Sequence, residues 1–126
     1  MNYTKEQLES IEKVRDVFAD YIANSKYLDL LWSDKIGYIL IVDIKEDMAT
    51  IDSQPLIIAD AVHLCEQMLF DIAYDVLDAS GPLHEVYEST PSEQQQIKEA
   101  CRPYMEQLPE YNFLIDKLFV APNART

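Results

Sequence analysis

The sequence contains little glycine, little cysteine and no long apolar run. Gly37 and Gly81 are its two glycines, so glycine-rich phosphate-binding and dinucleotide-binding loops are absent. Its two cysteines, Cys65 and Cys101, are too few for a disulfide framework and lack CxxC spacing, which favours two buried thiols in a reducing compartment. Because the chain has neither a basic, apolar leader nor a stretch of about 18 apolar residues, we predict a soluble, cytoplasmic protein without a membrane partner.

Positive charge is also missing from the middle of the chain. Every Lys and Arg lies at or before Lys45 or at or after Lys98, while the intervening segment holds eleven of the 23 acidic residues. The net charge of −13 is therefore concentrated in one region, and such a local imbalance favours a basic protein partner. Direct binding of nucleic acid is disfavoured, because phosphate contacts require cations.

The apolar content is high enough for a folded protein despite this charge. Of the 126 residues, 48% are hydrophobic and 26% are charged, so burial of apolar surface offsets the entropy lost on ordering the chain. This length is typical of one domain, and no repeat or linker divides it. We predict a single globular domain over residues 1–126.

The first half of the chain indicates a helix, a small sheet and a second helix. Thr4 and Gln7 form a capping-box pattern before residues 4–26, in which apolar side chains recur at helical spacing. Residues 27–32, 38–44 and 48–51 are rich in β-branched and aromatic side chains, which predicts two or three antiparallel strands. Pro55 is compatible with a first helical turn, so we expect a long, buried central helix from Pro55 to Ser80.

The second half predicts shorter helices. Thr90, Pro91 and Glu93 provide an N-cap, a proline at the first helical position and a capping-box acid. Pro103 and Pro109 are expected to kink or divide the helix that follows, leaving a last short helix over residues 109–120. The fold class is therefore α+β and mainly helical, with an N-terminal helix, a two- or three-stranded antiparallel sheet, a long buried central helix and two or three shorter C-terminal helices.

Aspartates on the central helix are the first candidates for a functional surface. Helical spacing places Asp60, Asp71, Asp75 and Asp78 along one border of its apolar arc. No cation stands near them in sequence, and Asp75 and Asp78 lie towards the helix C-terminus, where the helix dipole disfavours anions. The stability of the helix therefore does not explain why aspartates occupy these positions. We therefore predict a non-catalytic, carboxylate-rich face that binds a basic partner, formed by Asp60, Asp71, Asp75, Asp78, Glu85 and Glu88.

Three other functions fit parts of this pattern. Mimicry of DNA requires more carboxylates gathered beside the central helix, since duplex DNA carries one charge per about 1.7 Å. A magnesium- or manganese-dependent helical hydrolase acting on a phosphate-containing small molecule is the alternative, with acids from two helices as ligands. Surplus apolar residues suggest a homodimer, namely Trp32, Leu56, Phe70 and Leu77. No catalytic residue, metal ligand or cofactor is assigned, because His63 and His84 lie in no recognisable ligand pattern.

Overall fold

The computed structural model describes residues 3–25, 28–46 and 50–121. Its elements in chain order are α1 (Lys5–Val17), α2 (Ala19–Asn24), β1 (Leu28–Ser33), β2 (Gly37–Glu46), β3 (Thr50–Ile57), α3 (Ala61–Ser80), a 3₁₀ turn (Val86–Glu88), α4 (Pro91–Met105), a 3₁₀ turn (Pro109–Tyr111) and α5 (Phe113–Lys117). This is the mainly helical α+β fold that the sequence predicts. Tyr27 and Met48, two predicted strand residues, lie outside the described residues.

Contacts within the chain divide it into two compact units, Met1–Leu64 and Cys65–Thr126. The boundary falls inside α3. The prediction of a single domain over residues 1–126 stays a prediction. None of the helices in the described part of the chain is both long and apolar enough to cross a lipid bilayer.

The first helix starts as predicted but does not run unbroken to residue 26. Thr4 and Gln7 form the complete capping box, in which each side chain accepts a hydrogen bond from the other residue's backbone N–H. At Phe18 the backbone leaves helical geometry (φ −95°, ψ 7°), which separates α1 from α2. The Phe18 side chain is fully buried. Spacing alone did not reveal this break, because no glycine or proline marks it.

The sheet is antiparallel, with strand order β1-β2-β3. Leu40 of the central strand faces Leu30 on one side and Leu56 on the other. Tyr38 and Leu40 are buried, on the same face of β2. Arg15 of α1 donates a hydrogen bond of 2.7 Å to the Tyr38 hydroxyl, so α1 lies over this inner face.

The predicted start of the central helix at Pro55 is wrong. Pro55 lies in β3 opposite Ile41, and α3 begins six residues later at Ala61. Since the Ile58 N–H donates to the Tyr38 carbonyl, the alternation of an antiparallel ladder puts Pro55 at a position without a ladder bond. A proline is tolerated there on an edge strand, because its missing N–H is not needed.

The second unit is built around the larger part of α3. Its buried side includes Met68, Leu69, Ile72 and Leu77; Leu77 was predicted to be surplus surface for a dimer, and its burial removes it from that set. The capping box at Thr90 is present as predicted. In contrast, α4 is not divided at Pro103, because this proline lies in the last turn of a helix that ends at Met105.

Both cysteines are free and buried in the second unit. Burial raises the pKa of the Cys65 thiol to about 12, and burial likewise raises the pKa of Cys101 to about 12. The Cys65 sulfur lies 4.0 Å from the Met105 sulfur. These thiols are uncharged core groups rather than nucleophiles.

Candidate acidic interface

Helix α3 presents Asp71, Tyr74, Asp75 and Asp78 on one side, as their spacing of three and four residues requires. Asp75 and Asp78 are exposed, and Asp71 is half-buried. Tyr74 keeps 36% of its surface exposed between them. No basic residue stands in the last turn of this helix. The carboxylates therefore surround an accessible aromatic ring.

A hydrogen bond brings the segment after α3 onto the same side of the helix. The Tyr74 hydroxyl donates to the Glu85 carboxylate over 3.1 Å. Burial raises the pKa of Tyr74, and the charge of Glu85 and this hydrogen bond raise that pKa further. Glu85 is thus held beside the α3 aspartates, although it follows Tyr74 by eleven positions in sequence.

Exposed apolar side chains accompany these carboxylates. Leu83 is 58% exposed and Tyr87 is 39% exposed, and Glu88 is exposed at the end of the 3₁₀ turn. Interface centres are typically rich in tyrosine and poor in charge, with a charged rim. We use the name acidic face for this surface of the second unit, which consists of Asp71, Tyr74, Asp75, Asp78, Leu83, Glu85, Tyr87 and Glu88.

His84 ties the same segment to the start of α4. Its Nε2 lies 3.1 Å from a Glu93 carboxylate oxygen, and its Nδ1 lies 2.8 Å from the Glu85 carbonyl oxygen. The other Glu93 oxygen accepts the Thr90 N–H of the capping box. The Glu93 hydrogen bond raises the pKa of His84, and the Glu85 carbonyl raises it further. His84 is therefore a titratable positive charge next to the acidic face.

Asp60, the sixth predicted residue, has a structural role in the first unit. Its carboxylate accepts the His63 N–H over 2.9 Å at the start of α3. The Ala59 N–H in turn donates to His63 Nδ1 over 2.9 Å. The first contact satisfies a backbone donor that a helix start otherwise leaves unpaired, and the second satisfies the donor of the residue before the cap. An aspartate here needs no partner protein to explain it.

Tyr74, Leu83 and Tyr87 belong to the acidic face and His84 lies next to it, but none of the four was predicted. Tyr74 carried a usable signal, because it lies three residues after Asp71 and one before Asp75 on the polar border of α3. The contact of Tyr74 with Glu85 and the contact of His84 with Glu93 left no such signal in the sequence. Both depend on how the chain turns after Gly81.

The described residues offer no ligand set for a metal ion. Within residues 3–25, 28–46 and 50–121, no group of three or more His, Cys, Asp or Glu side chains is placed to hold one. Comparisons of the chain with protein-family models, with curated proteins and with solved structures gave no match.

Proposed function

We propose that the protein is a non-catalytic interaction module, a regulator or inhibitor that presents the acidic face to a basic protein partner. The observation that supports this best is the hydrogen bond from Tyr74 to Glu85. It joins two separate runs of carboxylates into one surface and leaves two tyrosines accessible between them. Two free, buried thiols fit a cytoplasmic setting for this binding.

The two kinds of side chain have different roles in the proposed complex. The carboxylates attract the partner over distance and pair with its cations at the rim, which raises the association rate more than the final affinity. The Tyr74 and Tyr87 rings provide area at the centre, where guanidinium groups of the partner stack on them. The partner is therefore a folded protein or segment that carries several arginines and some apolar surface.

Mimicry of DNA is the more specific form of this proposal. Asp71 and Asp78 are about 10 Å apart along the helix axis at 1.5 Å per residue. Duplex DNA carries about six charges over that distance, whereas α3 carries three carboxylates there. The acidic face is thus a sparse mimic, and displacement of DNA from the captured partner is the result that distinguishes mimicry from simple docking.

The experiment compares capture by two variants with equal charge changes. The first replaces Asp71, Asp75 and Asp78 by Asn. The control replaces three exposed acids of the first unit, Glu6→Gln, Glu9→Gln and Asp20→Asn. Wild type and control are expected to retain the same basic protein from a host lysate at low salt, while the first variant retains about tenfold less. Equal retention by all three would remove the acidic face from the proposal.

A further variant tests the hydrogen bond itself. Tyr74→Phe keeps the ring but removes the hydroxyl that holds Glu85. We expect affinity for the captured partner to fall about two- to fivefold, because Glu85 is no longer held beside the aspartates. The double variant Tyr74→Phe/Glu85→Gln should then lose little more affinity for the partner than Glu85→Gln alone. Full additivity of the two losses would show that Tyr74 does not act through Glu85.

A further inference from the structure

The sheet of the first unit has an apolar face opposite its buried one. Leu31, Ile39 and Ile57 lie directly across from one another on the three strands, on the face opposite Leu40. Leu31 is 45% exposed and Ile57 is 59% exposed. The next row on this face contains Ile41 and Pro55. We use the name outer sheet face for Leu31, Ile39, Ile41, Pro55 and Ile57.

We propose that the outer sheet face packs against the same face of a second copy of this chain. The strongest reason is charge, because two copies that each carry −13 repel each other wherever their carboxylates meet. The register places two acidic residues and one lysine on this face, Asp29, Asp43 and Lys45, so its formal charge is −1 against −13 for the whole chain. Two acidic copies therefore approach here at low electrostatic cost, and a basic partner finds little to pair with.

The size of the sheet predicts a weak dimer. The three strands contain six, ten and eight residues, so at about 3.4 Å per residue and about 4.8 Å between strands each face covers about 400 Å². Two such faces bury about 800 Å², below the roughly 1,200 Å² of a standard specific interface. The dimer is therefore weak and concentration-dependent.

Two-fold symmetry matches the layout of this face. Packed sheets lie about 10 Å apart with their strands within about 30° of alignment. Since β2 is the central strand, Ile39 and Ile41 of the two copies meet at the middle of the interface. Asp29 stays at the rim, where water screens it. A self-complementary apolar centre with a polar edge is the arrangement that a symmetric dimer requires.

Salt separates this dimer from the proposed binding of a basic partner. Added salt screens the repulsion between two acidic copies, so it strengthens the dimer. The same salt weakens attraction between the acidic face and a basic protein. The two interactions therefore respond in opposite directions, and either can fail without the other.

The experiment is sedimentation equilibrium of the full chain from about 10 to about 500 µM, at low and high salt. Wild type should rise from 14.6 kDa towards twice that mass, more steeply at high salt. Ile57→Lys and Leu31→Lys place a cation on opposite edge strands of the face. Each should weaken the dimer at least tenfold, although each also lowers the net negative charge. Val120→Lys, at a site 37% exposed in the second unit, is the control and should change it less than twofold.

Three results would overturn the proposal. Wild type that stays at the mass of one chain at about 500 µM and high salt has no such dimer. Weakening by only one of the two lysine variants indicates pairing along one strand edge rather than packing between faces. Equal weakening by Val120→Lys shows that any added lysine disturbs association. Far-ultraviolet circular dichroism confirms that each variant is folded, as the exposure of both positions leads us to expect.

Discussion

Gly37 lies under the ring of Tyr3 at the start of β2. Its φ of +107° suits glycine, and a Cβ added there would lie 2.6 Å from the Tyr3 ring. The Tyr3 hydroxyl also accepts the Tyr38 N–H over 3.2 Å and donates to the Ile58 carbonyl. Tyr3 therefore joins the segment before α1 to β2 and to the residue that follows β3, and this contact requires the absence of a side chain at residue 37.

Gly37→Ala should lower the free energy of unfolding by about 2 to 4 kcal/mol, measured by urea denaturation, because backbone strain and the clash with Tyr3 add. Gly81→Ala is the matched control, since Gly81 also has a positive φ, +156°, but its added Cβ meets nothing within 4 Å. It should lower the free energy of unfolding by the backbone strain alone, about 1 to 2 kcal/mol. Equal losses in the two variants would contradict the clash.

The contact of His84 with Glu93 predicts that the stability of the fold depends on pH. Its Glu93 hydrogen bond raises the pKa of His84, while the Thr90 N–H and then His84 lower the pKa of Glu93. The pair therefore stabilises the fold fully between the ordinary pKa values of glutamate and histidine. This contribution is lost as pH rises from the ordinary histidine value through the raised pKa of His84, or falls from the ordinary glutamate value through the lowered pKa of Glu93. His84→Asn should lower the melting temperature more at about pH 6 than at about pH 9.

Titration of His84 by nuclear magnetic resonance checks the same contact directly. Its pKa is expected above the ordinary histidine value in wild type and closer to that value in Glu93→Gln, which removes the charged acceptor. An unchanged His84 pKa in Glu93→Gln would contradict the contact between His84 and Glu93.

At the scale of elements, the C-terminal end of α3 carries an aspartate that destabilises the helix. Asp78 lies in the last turn, where the helix dipole repels anions, and no basic residue stands there. Asp78→Asn should therefore raise the free energy of unfolding by about 0.3 to 1 kcal/mol. Asp20→Asn, at an exposed site in the first turn of α2, should instead lower the free energy of unfolding or leave it unchanged. A loss of stability in Asp78→Asn would show that the carboxylate has a structural role.

Local chemistry explains which elements were predictable from the sequence. The capping boxes at Thr4 and Thr90 are complete within four residues, so both helix starts follow from the sequence. Pro55 fits either a helix start or an edge strand, and the pairing of β3 with β2 decided between them. The break at Phe18 likewise depends on how that side chain is buried. Neither burial nor strand pairing is a local property.

The candidate site was likewise predictable from the sequence only in part. The spacing of Asp71, Asp75 and Asp78 along one helix is sufficient to predict that they share a side of it. The position of Glu85 depends on the Tyr74 hydroxyl, a contact across a turn. Asp60 shares the aspartate pattern but caps α3, because the helix starts later than its apolar pattern suggested.

For the whole molecule, the net charge of −13 predicts a stability that depends on salt. Mutual repulsion destabilises a compact acidic chain, so raising NaCl from about 20 to about 200 mM should raise the melting temperature by a few degrees. Magnesium at matched ionic strength should add nothing further. A larger rise at sub-millimolar Mg²⁺ or Mn²⁺ would indicate a metal site and favour the hydrolase alternative over the interaction module.

The central claim is that the acidic face attracts a basic protein, and the most direct test is the association rate of the captured partner as a function of salt. Wild type and the Glu6/Glu9/Asp20 control are expected to show the same steep fall in rate as salt rises. The Asp71/Asp75/Asp78→Asn variant should associate about tenfold more slowly at low salt, with a flatter dependence. Identical rates and slopes for all three proteins would contradict the claim.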